Sequence, residues 1–204
     1  MRQYTVLVKE YNFDELPEEA QDKAIENLYD INVDYEWWDY DGLLDMSQAE
    51  MNSRHLTKRD GSQEWWENGS CLFSYKSKDI SFDLDRRQYI QFADIVVNDD
   101  DIFRKFLRID KRLWNKLDGC YHFQNNRLGS GSNTQLVFDT YYAEGNITDR
   151  EQEIIDRASE IFADKVSEAL SDLQSNYEYL TGRESIIETI KANEYSFDLN
   201  GILN

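Results

Sequence analysis

Residues 148–177 read TDREQEIIDRASEIFADKVSEALSDLQSNY and carry the longest regular pattern in the chain. Thr148 and Glu151 have the spacing of a capping box, in which each side chain bonds the other residue's backbone N–H at a helix start. Apolar residues then recur at steps of three and four, the period of one helix face: Ile155, Ala158, Phe162, Val166, Ala169 and Leu173. The stretch therefore predicts a long amphipathic helix with one buried side.

Shorter patterns surround this helix. Thr181 and Glu184 form a second capping-box pair, which predicts a short helix to about Asn193. The other predicted elements, in chain order, are a strand at 3–9, helices at 17–32 and 35–55, strands within 70–97, a helix at 102–117, strands at 120–124 and 134–142, and a closing strand at 195–199. We expect an α+β fold: an N-terminal strand and two helices, an antiparallel β-rich middle, then the long acidic helix and the short one. The 204 residues fit a single domain over 1–204, within which 148–194 could form a helical subdomain.

The charge of the chain is strongly negative and unevenly placed. Lys and Arg number 22 against 41 Asp and Glu, which gives a formal net charge of −19. This charge excludes the usual basic class of nonspecific nucleic-acid or anionic-membrane binder. Residues 1–50 carry net −11, residues 51–120 net +1, and residues 121–204 net −9. No apolar run approaches the ~18 residues of a membrane span, and the N-terminus lacks a signal-peptide pattern, so we expect a cytoplasmic protein.

The acidic residues of two predicted helices follow the helical period. The first helix carries Glu18, Asp22, Glu26 and Asp30, and the long helix carries Glu153, Asp156, Glu160, Asp164, Glu168 and Asp172. Like charges four residues apart each cost a helix about 0.2–0.5 kcal/mol, so helix stability does not explain these rows. One interpretation is a solvated face that keeps the chain in solution. The other is a surface that meets a basic groove, as a row of phosphates does.

Aromatic and carboxylate residues cluster after the first helix. Trp37 and Trp38 stand among acids that the sequence places at Asp34, Glu36, Asp39, Asp41 and Asp45. Three interpretations are open: core tryptophans, a protein-binding hot spot, or a carboxylate pair beside a stacked sugar as in glycoside hydrolases. We expect no catalytic residue here and take Trp37 or Trp38 as a candidate anchor for a protein partner.

Motifs for cofactors and metals are missing from the sequence. Cys71, Cys120, His55 and His122 have no zinc-ligand spacing, and the phosphate-binding glycine loops are absent, so we expect neither cofactor nor metal. Asp83 with Asp85, and the run Asp99–Asp101, could hold Mg²⁺ or Ca²⁺ weakly but fit solvated turns better. A basic cluster is expected to pair with the acidic helices or with solvent: Arg104, Lys105, Arg108, Lys111, Arg112 and Lys116.

Two segments resemble a known group of proteins. FDELPEEAQDKAIENLYDINVDYEWWDY (13–40) resembles the opening of small acidic phage and prophage accessory proteins, with F-x-E-L and D-Y-x-W-W. YEYLTGRESIIETIKANEYSFDLNG (177–201) resembles their closing segment, with A-N-E-Y-x-F. The resemblance implies a phage or mobile-element protein that acts in the bacterial host cytoplasm, and some members carry an antitoxin label. It implies no catalytic residue.

Together these observations predict a non-enzymatic inhibitor that binds a bacterial defence nuclease of the CRISPR or restriction type. The expected partner is a basic nucleic-acid-binding enzyme of the host, with no direct binding of nucleic acid or membrane. Occupation of the enzyme's nucleic-acid channel is one mode. The candidate contacts are Glu153, Glu160, Asp164, Glu168, Glu18, Asp22, Glu26, Trp37 and Trp38. The alternatives are an antitoxin-like protein that neutralises a basic toxin and, less favoured, a small enzyme that uses Asp83, Asp85 or the Asp99 run with a metal.

Overall fold

A computed structural model describes residues 9–33, 44, 72–75, 80–126 and 130–204. It has the predicted α+β class. Trp37 and Trp38 lie outside these residues. The strand predicted at 3–9 and the helix predicted at 35–55 also lie outside them, except for residue 9 and residue 44. In chain order the described elements are β1 (Tyr11–Asn12), α1 (Glu18–Asn27), β2 (Phe73–Ser74), β3 (Ile80–Asp83), β4 (Tyr89–Phe92), β5 (Val96–Val97), α2 (Asp100–Phe106), α3 (Lys111–Leu117), β6 (Tyr121–Asn125), β7 (Gly131–Ser132), β8 (Thr134–Phe138), α4 (Asp149–Leu180), α5 (Arg183–Ala192) and β9 (Ser196–Phe197). Among the described helices, none is long and apolar enough to cross a membrane.

The chain divides into two compact units. Unit 1 comprises residues 1–39 and 174–204, and unit 2 comprises residues 40–173. The unit boundary therefore falls within α4, and the possible helical subdomain at 148–194 stays a prediction. The single domain over 1–204 stays a prediction. Residues 13–39 and 177–201, which carry nearly all of the resemblance to phage proteins, belong to unit 1.

Unit 1 joins the two distant parts of the chain through a short sheet and an apolar core. β1 pairs with β9 in antiparallel register, with Tyr11 opposite Phe197. The buried core combines residues of the first helix, the last helix and the sheet: Phe13, Leu16, Ala20, Ala24, Ile25, Ile186, Ile190 and Phe197. The rings of Phe13 and Phe197 meet edge to face at 6.3 Å between centroids, a favourable aromatic geometry.

The helix boundaries in unit 1 differ from the predicted ones. Pro17 is the N-cap of α1, and the helix ends at Asn27 instead of Asn32, because the N–H of Leu28 caps it on the carbonyls of Ala24 and Ile25. Asp30 therefore lies beyond the helix that carries Glu18, Asp22 and Glu26. The second capping box does not form: Gly182 is the N-cap of α5, and Thr181 Oγ1 donates to the carbonyl of Tyr177.

Unit 2 is built from short sheets and helices α2 and α3 around an aromatic core. β6 and β8 pair antiparallel over five residues, from Tyr121 opposite Phe138 to Asn125 opposite Thr134. β3 and β4 are also antiparallel, as predicted for the β-rich middle, whereas β7 joins β4 in parallel. Phe73 lies at the centre of the core and meets four other rings: Phe103, Phe106, Phe123 and Phe162.

The first 25 residues of α4 belong to unit 2 and bury the side that the sequence predicted. Ile155, Ala158, Phe162, Val166, Ala169 and Leu173 are all buried. The capping box at its start is confirmed: the Thr148 N–H donates to Glu151 Oε2 at 2.8 Å, and the Glu151 N–H donates to Thr148 Oγ1 at 3.3 Å. Burial of six apolar side chains at roughly 25 cal/mol per Å² anchors this helix far more strongly than its helix propensity could.

Candidate functional site

The outer side of α4 presents carboxylates that have no partner within the described part of the chain. Glu153, Glu160 and Asp164 are exposed, and no ion pair to another described residue engages any of them. We call these three residues the acidic face. At 100° per residue they lie roughly opposite the buried side of the helix, and consecutive members stand ~6–10 Å apart along its axis. Because the other side of the helix is packed into the aromatic core, the acidic face is held on a rigid support.

Arg157 lies within the acidic face and interrupts it. It is exposed, and its side chain has no ion pair among the described residues. Asp156, at the edge of the face, accepts a hydrogen bond from Gln152 Nε2 at 2.8 Å. The acidic face therefore contains one cation, with Glu153 before it and Glu160 and Asp164 after it.

Glu168 differs from the acidic face although it was predicted to belong to it. Its Oε2 lies 3.3 Å from Nζ of Lys165, whose side chain is 4% exposed against 42% for Glu168. Lys165 falls on the same side of α4 as the apolar core residues, so its charge needs compensation inside the fold. Glu168 thus stabilises a buried cation, a structural role that competes with any contact to a partner.

The acidic row of α1 is also partly used within the chain. Glu18, Asp22 and Glu26 are exposed as predicted, but Asp22 Oδ1 lies 2.7 Å from an Arg183 guanidinium nitrogen on α5. Both side chains of that pair are more than half exposed, so the pair is worth ~0–1 kcal/mol at most. Glu18 lies in the first turn of α1, where the helix dipole stabilises a negative charge. Of the three acidic residues, only Glu26 then has neither this stabilisation nor an ion pair among the described residues.

A pair of exposed tyrosines lies where a strand was predicted. β8 ends at Phe138, and residues Thr140–Tyr142 form a 3-10 turn instead of continuing the strand to 142. Tyr141 is 90% exposed and Tyr142 72%, with their rings edge to face at 5.2 Å. Exposed aromatic residues of this kind are typical anchors of protein interfaces. Asp139, which precedes the turn, was the available sequence signal for the end of the strand, but the strand propensity of the two tyrosines favoured a longer strand.

The aspartates considered for metal binding are engaged by the protein. Asp83 ends β3, and its Oδ1 accepts the backbone N–H groups of Asp85 and Arg86, so Asp83 and Asp85 do not share a strand face. These backbone hydrogen bonds, chiefly that from Arg86, lower the pKa of Asp83. In the run at 99–101, Asp99 caps α2, Asp100 accepts from the Tyr121 hydroxyl, and Asp101 pairs with Arg104 and Lys105.

No group of three His, Cys, Asp or Glu side chains that could hold a metal occurs among the described residues. His122 Nδ1 lies 3.0 Å from Asp139 Oδ2, and both side chains are about half exposed. Cys120 is half buried, immediately before β6, and Cys71 and His55 lie outside the described residues. Within the described chain, these groups do not assemble into a catalytic or metal-ligating cluster.

The basic cluster is divided between internal pairs and exposed side chains. Arg104 and Lys105 pair with Asp101, and Lys116 Nζ pairs with Glu151 at 2.8 Å and also donates to the carbonyl of Asn146. The last pair links the cluster to the acidic long helix, as expected, and lowers the pKa of Glu151 to about 2 with help from Thr148. The remaining members, Arg108, Lys111 and Arg112, are exposed.

Trp37 and Trp38, with the acids around them, lie outside the described residues, so their role as an anchor stays a prediction. Comparisons of the chain with protein-family models, with curated proteins and with solved structures find no match. Function is therefore inferred from the geometry of the chain itself.

Proposed function

We propose that this chain is a protein-binding inhibitor that presents the acidic face of α4 to a basic surface of a bacterial partner. One observation carries the proposal: Glu153, Glu160 and Asp164 are exposed and without ion pairs in the described chain, on a helix whose other side is buried. Carboxylates held in place on a rigid support offer a fixed negative field at little ordering cost, which favours fast, salt-sensitive association.

The partner class follows from this charge and from the resemblance of the terminal segments to phage proteins. Enzymes that hold a nucleic-acid backbone present basic grooves to a row of negative charges, and the acidic face offers such a row. We therefore propose a host defence nuclease in the bacterial cytoplasm as the partner. The acidic face would act in its nucleic-acid channel, without direct binding of this chain to nucleic acid. Glu18, Glu26, Trp37 and Trp38 remain secondary contacts in this proposal, while Asp22 and Glu168 have internal partners.

The test is a charge reversal confined to the acidic face. The variant Glu153→Lys, Glu160→Lys, Asp164→Lys should fold, because the three side chains are exposed and such surface substitutions each change the free energy of unfolding by about 0.5 kcal/mol or less. The matched control reverses three exposed acids of unit 1, Glu178→Lys, Glu188→Lys and Glu194→Lys, and changes the net charge equally. Partners captured from bacterial lysate at ~0.15 M salt are then identified and their affinities measured.

We expect the control to retain the partner and the face variant to lose it. If both variants bind the partner equally well, the acidic face is only a solvated surface and does not bind the partner. Nucleic-acid substrate should displace the chain from the partner. If both bind together without mutual weakening, channel occupation is wrong, and a partner that binds no nucleic acid would favour the antitoxin-like alternative.

A further inference from the structure

A pocket in unit 2 is lined by several cationic residues, although the whole chain is strongly acidic. The pocket has a volume of about 540 Å³, and its lining residues include Arg104, Lys105, Arg108 and Arg157. Its apolar lining residues are Ile154 and the almost fully buried Leu107 and Ile109, and Asp110 is the one acidic residue among the described lining residues. A volume of this order falls within the ~300–1,000 Å³ of small-molecule sites.

The two exposed arginines of the pocket have no ion pair among the described residues. Arg104 is held in place by Asp101 and by a 2.8 Å hydrogen bond to the carbonyl of Ile109, and Lys105 also pairs with Asp101. Arg108 and Arg157, in contrast, present exposed guanidinium groups from the α2–α3 connection and from α4. The pocket therefore combines two fixed cations with two that remain available to a ligand.

Arg108 occupies a backbone position that favours glycine. Its φ is +60°, and it closes α2: the Arg108 N–H donates to the Lys105 carbonyl and the Ile109 N–H to the Arg104 carbonyl. This is the Schellman arrangement, in which a left-handed residue, usually Gly, follows the helix. Arginine is less stable than glycine in this left-handed conformation, but it places a guanidinium group at the pocket.

The charge balance selects the ligand chemistry. Four cations stand against Asp110 and the neighbouring Asp101, and the Asp110 carboxylate is turned to the backbone N–H groups of Arg112 and Leu113. Arg108 and Arg157 have no ion pair among the described residues, and guanidinium groups bind phosphate in a bidentate manner. We infer that this pocket binds a phosphorylated small molecule of nucleotide size, with its phosphate on Arg108 and Arg157 and its body against the apolar lining.

The experiment is calorimetric titration of the full chain with ADP at ~0.15 M salt. Adenosine and inorganic phosphate serve as half-ligands, and a short 5′-phosphorylated oligonucleotide serves as the polymeric source of the same group. The test variant is Arg108→Gly with Arg157→Gln, because glycine suits the left-handed position and glutamine keeps the exposed helix. The control is Arg112→Gln with Arg150→Gln, two exposed arginines that do not line the pocket.

We expect saturable binding of ADP, weaker binding of each half-ligand, and a loss of at least about tenfold in affinity in the test variant. The control should stay within about twofold of the unmodified chain, and thermal melting should show both variants folded. Absence of saturable ADP binding at millimolar concentration would overturn the inference. Equal weakening in the control would do the same, and so would tighter binding of the oligonucleotide than of ADP.

Discussion

A β-carbon built on Gly201 would stand 2.1 Å from the backbone carbonyl oxygen of Ala20. Gly201 has φ +79°, and the turn around it is fixed by Asp198, whose Oδ1 accepts the N–H groups of Asn200 and Ile202. These bonds, first that from Ile202, lower the pKa of Asp198. The glycine therefore allows the C-terminal turn to lie directly on α1.

Replacing Gly201 with Ala should destabilise unit 1. The methyl group would collide with backbone and would also occupy a left-handed conformation, so we expect a cost of about 2–4 kcal/mol. Gly145→Ala is the matched control, because Gly145 has φ +80° and open space around the added carbon. It should cost unit 2 only about 1–2 kcal/mol. Hydrogen exchange at α1 and β9 measures the first effect, and equal costs for the two variants would contradict the close approach.

Removing the charge of Glu168 should cost stability, whereas removing that of Glu160 should not. Glu168→Gln withdraws the carboxylate from the buried ammonium of Lys165, at an expected cost of about 1 kcal/mol given the partial exposure of the pair. Glu160→Gln on the same helix should stay within about 0.5 kcal/mol. Urea unfolding of both variants makes the comparison. In a Lys165→Met background, Glu168→Gln should cost almost nothing, and an undiminished cost there would separate Glu168 from Lys165.

Acidification should weaken the start of α4 through Glu151. Because Lys116 and Thr148 hold the pKa of Glu151 at about 2 against its ordinary 4.5, the folded state favours the carboxylate. The resulting stability is fully present above pH 4.5 and disappears as the pH falls toward 2. Urea unfolding should show Glu151→Gln less stable than the unmodified chain near neutral pH and nearly equal to it in strong acid. A difference between the two chains that persists undiminished in strong acid would contradict this role of Glu151.

Tyr141 should contribute to partner binding but not to stability. With 90% of its surface exposed, Tyr141→Ala should change the free energy of unfolding by less than about 0.5 kcal/mol. If the tyrosine pair anchors the partner captured by the acidic face, the same substitution should raise the off-rate and leave the salt dependence of the on-rate unchanged. Surface plasmon resonance separates the two rates. An unchanged off-rate would show that Tyr141 does not contribute to the interface.

The sequence alone predicts α4 and its buried side because the signals for this helix lie within the helix itself. A capping box and six apolar residues at the helical period predict the helix and its buried side without reference to the rest of the chain. Lys165 shares that side, yet a lysine in such a pattern is ordinarily expected to reach solvent. Its burial beside Glu168 depends on the surrounding core, which a single helix pattern does not contain.

Other features depend on chain segments that are far apart or on short polar turns. The pairing of Tyr11 with Phe197, and of Asp22 with Arg183, joins residues more than 150 positions apart, and no local pattern encodes it. The aspartates at 83 and 99 were considered as weak metal ligands because of their spacing. Each instead accepts nearby backbone N–H groups, the common role of Asp at turns and helix starts. The cationic pocket combines α2, its following loop and α4, so only the fold reveals it.

The pairing of β1 with β9 also sets an order of events during protein synthesis. The ribosome makes α1 long before β9 and α5, so the apolar side of α1 has no partner from unit 1 until the last residues emerge. The segment of unit 2 is complete earlier, and domains generally begin to fold during synthesis as their residues become available. Unit 1 can therefore close only after α5 and β9 have left the ribosome, later than unit 2 can begin to fold. A nascent chain stalled before residue 183 would keep Ala24 and Ile25 without Ile186 and Ile190, and would expose α1 to proteases and chaperones.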